Sequence, residues 1–163
     1  MTTAHQFRRP TEADYPQVVR VIDDWWGDRR MDVLLPRLWL QHFTGTSWLA
    51  EDAEGRLAGF LVGFMSPDDP ETAYCHMIAT NPNHRRRGLG GELYERFFDD
   101  ARRHGASHVI AITWPGNRIS IGFHRALGFL PATGSGTQNL YGTPAYPGYD
   151  FDREDRVVFK REL

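Results

Sequence analysis

Segments with a helical hydrophobic period alternate along the chain with segments that have a strand-like period. Apolar residues spaced three or four apart predict four helices, at residues 11–26, 35–43, 89–104 and 117–127. Short apolar runs between turn residues predict seven strands, at residues 6–9, 47–51, 57–65, 74–80, 109–113, 129–132 and 156–160. The predicted order of elements is therefore β-α-α-β-β-β-α-β-α-β-β.

Turn and cap residues separate these elements. Thr11 is placed to cap the first helix, and Gly105 to end the third. Asn117 is placed to cap the fourth helix. Residues 133–155, rich in Gly, Pro and Tyr, have no regular period. We interpret them as a long loop without a regular element and as a candidate substrate lid.

Size and composition limit the class of protein. With 163 residues, 40% of them hydrophobic, the chain suits one compact domain over residues 1–163. A net charge of −2 argues against a surface that binds nucleic acid throughout. Cys75 is the single cysteine, so an intrachain disulfide is excluded, and we expect no metal site. The apolar stretches are far shorter than the roughly 20 residues that span a bilayer. We therefore expect a soluble, cytoplasmic protein with no membrane or nucleic-acid partner.

A basic, glycine-rich segment precedes the third predicted helix. Arg85, Arg86 and Arg87 are followed by Gly88 and Gly90. Unpaired N–H groups at the start of a helix attract anions, and glycine lets a phosphate approach the backbone. The spacing fits neither a Walker loop nor a dinucleotide fingerprint. The segment therefore predicts a phosphate site of another kind.

Two motifs resemble signatures of the GNAT acyl-CoA-dependent N-acetyltransferases. Residues 85–90 resemble the Arg/Gln-x-x-Gly-x-Gly/Ala pyrophosphate motif, and residues 117–129 resemble the Asn-x-x-Ala/Ser-x-x-x-Tyr-x-x-x-Gly-Phe motif. The resemblance implies an α/β (α+β) GNAT fold. In that fold a central mixed, mostly antiparallel sheet of six to seven strands is splayed between its fourth and fifth strands and flanked by about four helices.

The resemblance also implies a function and a donor site. It implies transfer of an acetyl group from acetyl-CoA to a primary amine of a small molecule or peptide, by direct attack in a ternary complex. The pantetheine arm would pair with the backbone of the central strand, and the pyrophosphate with the glycine-rich turn. The implied cofactor-binding residues are Ile78, Ala79, Thr80, Arg85, Arg86, Arg87, Gly88, Leu89, Gly90, Gly91, Asn117, Ser120 and Phe123.

Two histidines are the predicted catalytic residues. His124 stands where the family motif has a tyrosine acid, and we predict that it protonates the departing thiolate. The alternative is a histidine packed in the core. His76 stands where some relatives carry a glutamate base, and strand alternation predicts that it shares a face with Ile78 and Thr80. The alternative is deprotonation of the amine through water.

The first two helices are the predicted acceptor side. Their aromatic residues predict a pocket for a small amine with an apolar or aromatic body, lined by Trp25, Trp26, Trp39 and Phe43. Negative charge for the amine would come from Asp23, Asp24, Asp28 and Asp32. The alternative is that these aromatic residues are ordinary core.

Two other classes of function stay open at this stage. One is a non-catalytic acyl-CoA-binding sensor or partner-binding domain, which the tyrosine-to-histidine departure at His124 favours. The other is a nucleic-acid module built on residues 84–87 and 102–103. It is the weakest, because the neighbouring aromatic residues follow a buried helical face. Whether a second copy of the chain completes the site is also left open.

Overall fold

A seven-stranded sheet forms the centre of the molecule. The computed structural model describes residues 4–26, 31–151 and 154–163. The sheet order is β1-β2-β3-β4-β5-β9-β6. The strands of this sheet are β1 (Gln6–Arg8), β2 (Trp48–Glu51), β3 (Leu57–Met65), β4 (Thr72–Thr80), β5 (His108–Thr113), β6 (Leu130–Pro131) and β9 (Val157–Glu162). Two further strands, β7 (Gln138–Leu140) and β8 (Thr143–Ala145), form a separate hairpin.

Helices cover both faces of the sheet. They are α1 (Tyr15–Trp25), α2 (Trp39–His42), α3 (Leu89–Arg103) and α4 (Arg118–Ala126). One buried cluster joins α1 and α2 to β3 and β4, and a second joins α3 and α4 to the opposite face. Within the described ranges, no helix has the length and apolar character needed to cross a membrane. The sheet thus separates an α1/α2 side from an α3/α4 side.

The sheet opens between β4 and β5. These two strands are parallel and pair only at Thr72–His108, Ala73–Val109 and Tyr74–Ile110. Beyond these pairs, β4 continues for six residues alongside β3 and no other described strand, while β5 pairs with β9. All other pairs in the sheet are antiparallel. The predicted mixed, mostly antiparallel and splayed sheet with four helices is confirmed.

A bulge in β4 corrects the predicted orientation of His76. Val62 pairs with Met77 and Gly63 with Cys75, so His76 has no partner residue in β3. An extra residue in one strand reverses the alternation beyond it. His76 therefore stacks on Trp39 on the α1/α2 side, whereas Ile78 packs against the α3/α4 cluster. The prediction that His76 shares a face with Ile78 and Thr80 is wrong.

Two other predictions about elements need correction. The helix predicted over residues 35–43 is a single turn, Trp39–His42. Leu35 precedes Pro36 and lies outside the helical region, with φ −127° and ψ 68°, because a residue before proline avoids that region. Within residues 133–155, where no regular element was predicted, the β7–β8 hairpin turns at Tyr141 and Gly142, both with positive φ. A tyrosine at such a position is an unusual turn signal.

A buried carboxylate ties the N-terminal strand to α3. Asp100 is 1% exposed and accepts hydrogen bonds from both Arg9 terminal nitrogens, at 2.6 and 2.8 Å. It also accepts from Trp48 Nε1 at 2.8 Å and from Arg103. Burial alone would raise the pKa of Asp100, but the bonds from Arg9 and Trp48 outweigh it and lower this pKa. The ionised form therefore stabilises the fold.

We expect Asp100→Asn to lower the free energy of unfolding by about 2 kcal/mol, because Arg9 keeps its charge and loses its ionised partner. Because the pKa of Asp100 is lower in the folded chain, its contribution is complete above about pH 4 and is lost as the pH falls through the lowered value. Urea unfolding at pH 7 and at low pH measures both effects. Asp99→Asn is the matched control, since Asp99 is exposed and bonds only to Arg102 among the contacts described. Equal losses in the two variants would contradict the assignment.

Candidate functional site

The basic turn before α3 has the backbone of an anion site. Arg86 has φ 62° and Gly88 has φ 82°, both in the left-handed region. Left-handed residues next to a helix start turn successive N–H groups towards one point, which forms a nest for an anion. The N–H groups at the start of α3 add to it because they have no acceptor in the preceding turn. This turn lies directly after the free end of β4.

The two motif glycines have different environments. A Cβ added to Gly88 would meet no atom of the described residues within 4 Å, and close approach of a phosphate requires such space. A Cβ added to Gly90 would lie 2.9 Å from the Phe123 ring. The lack of a side chain at Gly90 thus allows α3 to pack against α4. Gly88 is the cleaner probe of an anion site.

The three arginines of the turn do not share one role. Arg85 donates from Nη2 to the carbonyl of Trp25 at 2.6 Å, at the C-terminal end of α1. Like Arg85, Arg86 and Arg87 are exposed. Arg85 therefore lies against the α1/α2 side.

The residues of the second motif lie at the start of α4. Asn117 caps the helix, with Oδ1 accepting from the N–H of Ser120 at 3.1 Å. Phe123 is half-buried and contacts Tyr94, with ring centroids 5.9 Å apart. The motif thus holds α4 close to α3, beside the opening between β4 and β5.

His124 is buried, with partners on both ring nitrogens. It is 4% exposed and stacks on Phe159 at 4.9 Å. Nδ1 lies 2.8 Å from the carbonyl oxygen of Ser120, and Nε2 lies 2.8 Å from the hydroxyl of Tyr94. Because a carbonyl only accepts, Nδ1 carries the hydrogen, and the neutral ring then accepts from the Tyr94 hydroxyl at Nε2. The arrangement stabilises a neutral imidazole.

Burial also favours the uncharged form of each titratable group in this cluster. It lowers the pKa of His124, against an opposing effect of the Ser120 carbonyl. It raises the pKa of the Cys75 thiol, which also bonds to Tyr94, to about 12. It raises the pKa of Tyr94 well above the ordinary value. At neutral pH, Cys75, Tyr94 and His124 are therefore uncharged.

His76 lies on the other face of the sheet. Its ring stacks on Trp39 with centroids 4.1 Å apart and an interplanar angle of 7°. Nε2 lies 2.6 Å from the carbonyl oxygen of Leu34, so Nε2 carries the hydrogen and Nδ1 of the neutral ring has a lone pair. Burial lowers the pKa of His76, although the Leu34 carbonyl opposes this. The neutral ring is the form that a general base requires.

The predicted acceptor aromatics fall into two groups. Trp25 is 8% exposed and, with Trp26, packs against Phe60 in the α1/α2 core. Trp39 and Phe43 are half-buried beside His76 and contact each other at 4.6 Å. Asp23 accepts hydrogen bonds from the N–H groups of Met31 and Asp32. Asp28 lies outside the described residues.

Two aromatic residues that the sequence did not single out complete this face. Phe64 contacts Trp39 at 5.9 Å and stacks on Tyr74 at 5.3 Å. Burial raises the pKa of Tyr74, and the neighbouring Tyr149 and Asp150 raise it further. Tyr149 and Asp150 of the predicted lid therefore lie near Tyr74. We call Trp39, Phe43, Phe64, Tyr74 and His76 the aromatic face.

Among the described residues, no three His, Cys, Asp or Glu side chains form a group that suits a metal.

Comparison with known proteins agrees with this geometry. The chain is 30% identical over 110 residues to the L-2,4-diaminobutyric acid acetyltransferase of Nocardia farcinica, an alignment that covers 68% of this chain and 56% of that protein. This chain thus spans little more than half the length of that relative. The structure of Ard1 from Thermoplasma volcanium matches with a TM-score of 0.77, 21% identity and 98% of each chain covered.

A diaminobutyrate acetyltransferase from Paenibacillus lautus, solved with 2,4-diaminobutyric acid and coenzyme A, matches with a TM-score of 0.69 and 24% identity, over 96% of this chain and 95% of that one. The model of the acetyltransferase (GNAT) family matches residues 7–129. These residues include the splayed strands and both motifs. The resemblance that the two motifs predict is confirmed, and the chain belongs to the GNAT acetyltransferase family.

Proposed function

We propose that the protein transfers an acetyl group from acetyl-CoA to a primary amine of a small molecule or peptide, by direct attack in a ternary complex. The observation that carries this proposal is the anion nest at Arg86 and Gly88, which lies at the open end of the split between β4 and β5. A basic nest suits a pyrophosphate, and the split leaves strand edges for an extended arm. Family membership supplies the reaction type.

The donor side of the proposal uses mainly backbone groups. Among the described strands, none pairs with the edge of β4 that faces the split along Ile78, Ala79 and Thr80. An amide-containing arm can add to such an edge as a further strand. The pyrophosphate would then meet the N–H groups of residues 86–91, and Asn117, Ser120 and Phe123 would contact the cofactor from the start of α4.

The acceptor side of the proposal is the aromatic face. Its half-buried rings offer apolar contact around the neutral Nδ1 of His76. A small primary amine with an apolar body suits this surface. Because the Nocardia relative is named for L-2,4-diaminobutyric acid, we propose amino acids that carry a side-chain amine as the first acceptors to examine.

Proton transfer completes the proposal. An amine attacks only when it is neutral, and the sulfur of CoA departs most easily when it is protonated to the thiol. His76 is proposed as the base, since it is neutral and its Nδ1 has a lone pair. His124 stays the predicted acid. Its neutral ring must first take up a proton at Nε2, which then no longer accepts the hydrogen bond from the Tyr94 hydroxyl.

A thiol-release assay tests the function. Acetyl-CoA would be mixed with the protein and with L-2,4-diaminobutyrate, other amino acids, polyamines, aminoglycosides and peptides. We expect amine-dependent release of CoA together with an acetylated product by mass spectrometry. Binding of acetyl-CoA without release for any amine would instead favour a non-catalytic acyl-CoA sensor.

We expect Gly88→Ala to weaken acetyl-CoA binding at least tenfold, because a methyl group would occupy the open space above the nest. Gly105→Ala is the matched control. Gly105 has φ 85°, has nothing within 4 Å of an added Cβ and lies beyond the other end of α3. The two variants should lose similar stability, as measured by thermal unfolding. Calorimetric titration that shows equal affinity in both would exclude the nest as the phosphate site.

We expect His76→Gln to lower turnover by about 10² to 10³, the usual contribution of one positioned base. Glutamine keeps an N–H donor for the Leu34 carbonyl and has no basic nitrogen, so acetyl-CoA affinity should stay unchanged. Because the pKa of His76 is lowered, the wild-type rate should fall only as the pH drops below the ordinary histidine value of about 6.5. This acid limb should be absent in the variant. Normal turnover would show that water deprotonates the amine.

We expect the turnover ratio of wild type to His124→Phe to be larger at pH 6 than at pH 8. The acid must be protonated, and the lowered pKa of His124 makes that form scarcer as the pH rises. Steady-state rates at saturating acetyl-CoA, corrected for the folded fraction, measure the ratio. A ratio that does not change with pH would assign His124 to packing alone.

A further inference from the structure

Arg85 belongs to the predicted pyrophosphate motif, but its side chain bonds to the acceptor side. The Nη2 group donates to the carbonyl of Trp25 at 2.6 Å, across 60 positions of sequence. Trp25 is the last residue of α1, where carbonyl groups lack partners within the helix. A guanidinium at this end also offsets the partial negative charge of the helix dipole. Arg85 thus caps α1 from the turn before α3.

The end of α1 in turn holds the chain that leads to the aromatic face. Asp23 Oδ1 accepts from the N–H groups of Met31 at 2.8 Å and of Asp32 at 3.1 Å. Two residues further on, the carbonyl of Leu34 accepts from His76 Nε2 at 2.6 Å. The same short segment therefore contacts both the end of α1 and the proposed base.

We propose that Arg85 is a positioning residue: it fixes the end of α1 and, through it, the segment that orients His76, and it is not a ligand of the pyrophosphate. This proposal depends on the proposed acetyl transfer in one respect: the aromatic face is taken as the site of the amine acceptor. The neighbour of Arg85, Arg86, contrasts with it, because the left-handed backbone of Arg86 forms the nest. Arg85 then acts on the acceptor side of the site, and Arg86 acts on the donor side.

Hydrogen–deuterium exchange of the ligand-free full chain tests the positioning directly. Arg85→Met removes the donor and keeps the length of the side chain. We expect the amides of residues 22–26 and 31–35 to exchange about tenfold faster, the effect of losing one charge-assisted hydrogen bond on local opening. Arg86→Met, the matched control, should leave these amides unchanged. Unchanged exchange in Arg85→Met overturns the proposal.

Binding and kinetics separate positioning from phosphate contact. With L-2,4-diaminobutyrate, or the amine that turns over fastest in the panel above, Arg85→Met should raise the acceptor KM at least threefold. The acetyl-CoA Kd and its salt dependence should stay within twofold of wild type. Arg86→Met should instead weaken acetyl-CoA binding and flatten its salt dependence. The same loss in Arg85→Met would make Arg85 a phosphate ligand and overturn the proposal.

Failure of the proposed function would look different. If the wild-type chain bound no acetyl-CoA, the acetyl-transfer proposal would fall. The exchange experiment would still decide whether Arg85 holds α1, because it requires neither ligand. Arg85→Lys adds a further check: it keeps an N–H donor and should return the exchange of residues 22–26 towards the wild-type rate. An exchange rate equal to that of Arg85→Met would overturn the hydrogen bond as the cause.

Discussion

The separation of β4 from β5 after three residue pairs is the constraint on which the rest of the structure depends. Backbone groups along a strand edge require partners, and within this sheet the last six residues of β4 have one on the β3 side only. The anion nest, the start of α4 and the aromatic face all lie around this opening. A strand edge with a basic nest at its end describes a site for an extended molecule that carries phosphate at one end.

The bulge at His76 adds a second constraint. It places two consecutive residues of β4, His76 and Met77, on the α1/α2 side, so one strand serves both faces of the sheet within a few residues. The proposed base thereby reaches the aromatic rings, while Ile78 packs with α3. Bulges often lie next to active sites, where they redirect a side chain. The burial that lowers the pKa of His76 therefore depends on the bulge, which turns this side chain towards the α1/α2 side.

The sequence predicted those features that depend on local pattern. Helical spacing located α1 and α3, and the cap at Asn117 located α4. The glycines and arginines of residues 85–91 predicted a turn before α3, and the phosphate site there stays a prediction. The sequence missed features that depend on tertiary pairing: the bulge at His76 follows from the register with β3, and the bond from Arg85 to Trp25 joins distant segments. Tyr94 looked like one more apolar position on a buried helix face, and only the fold brings its hydroxyl to His124.

The contact between Tyr94 and His124 also bears on the shape of the opening. α3 packs mainly on β2, β3 and β4 and also contacts β5, while His124 of α4 stacks on Phe159 of β9. Together with the contact of Arg161 with the Phe98 ring, the phenol–imidazole bond therefore links α3 to the β9 side of the opening. Side chains thus help to set the spacing of the two halves on the helical side, so exchanges at positions 94 and 124 can alter the width of the opening while every strand keeps its register.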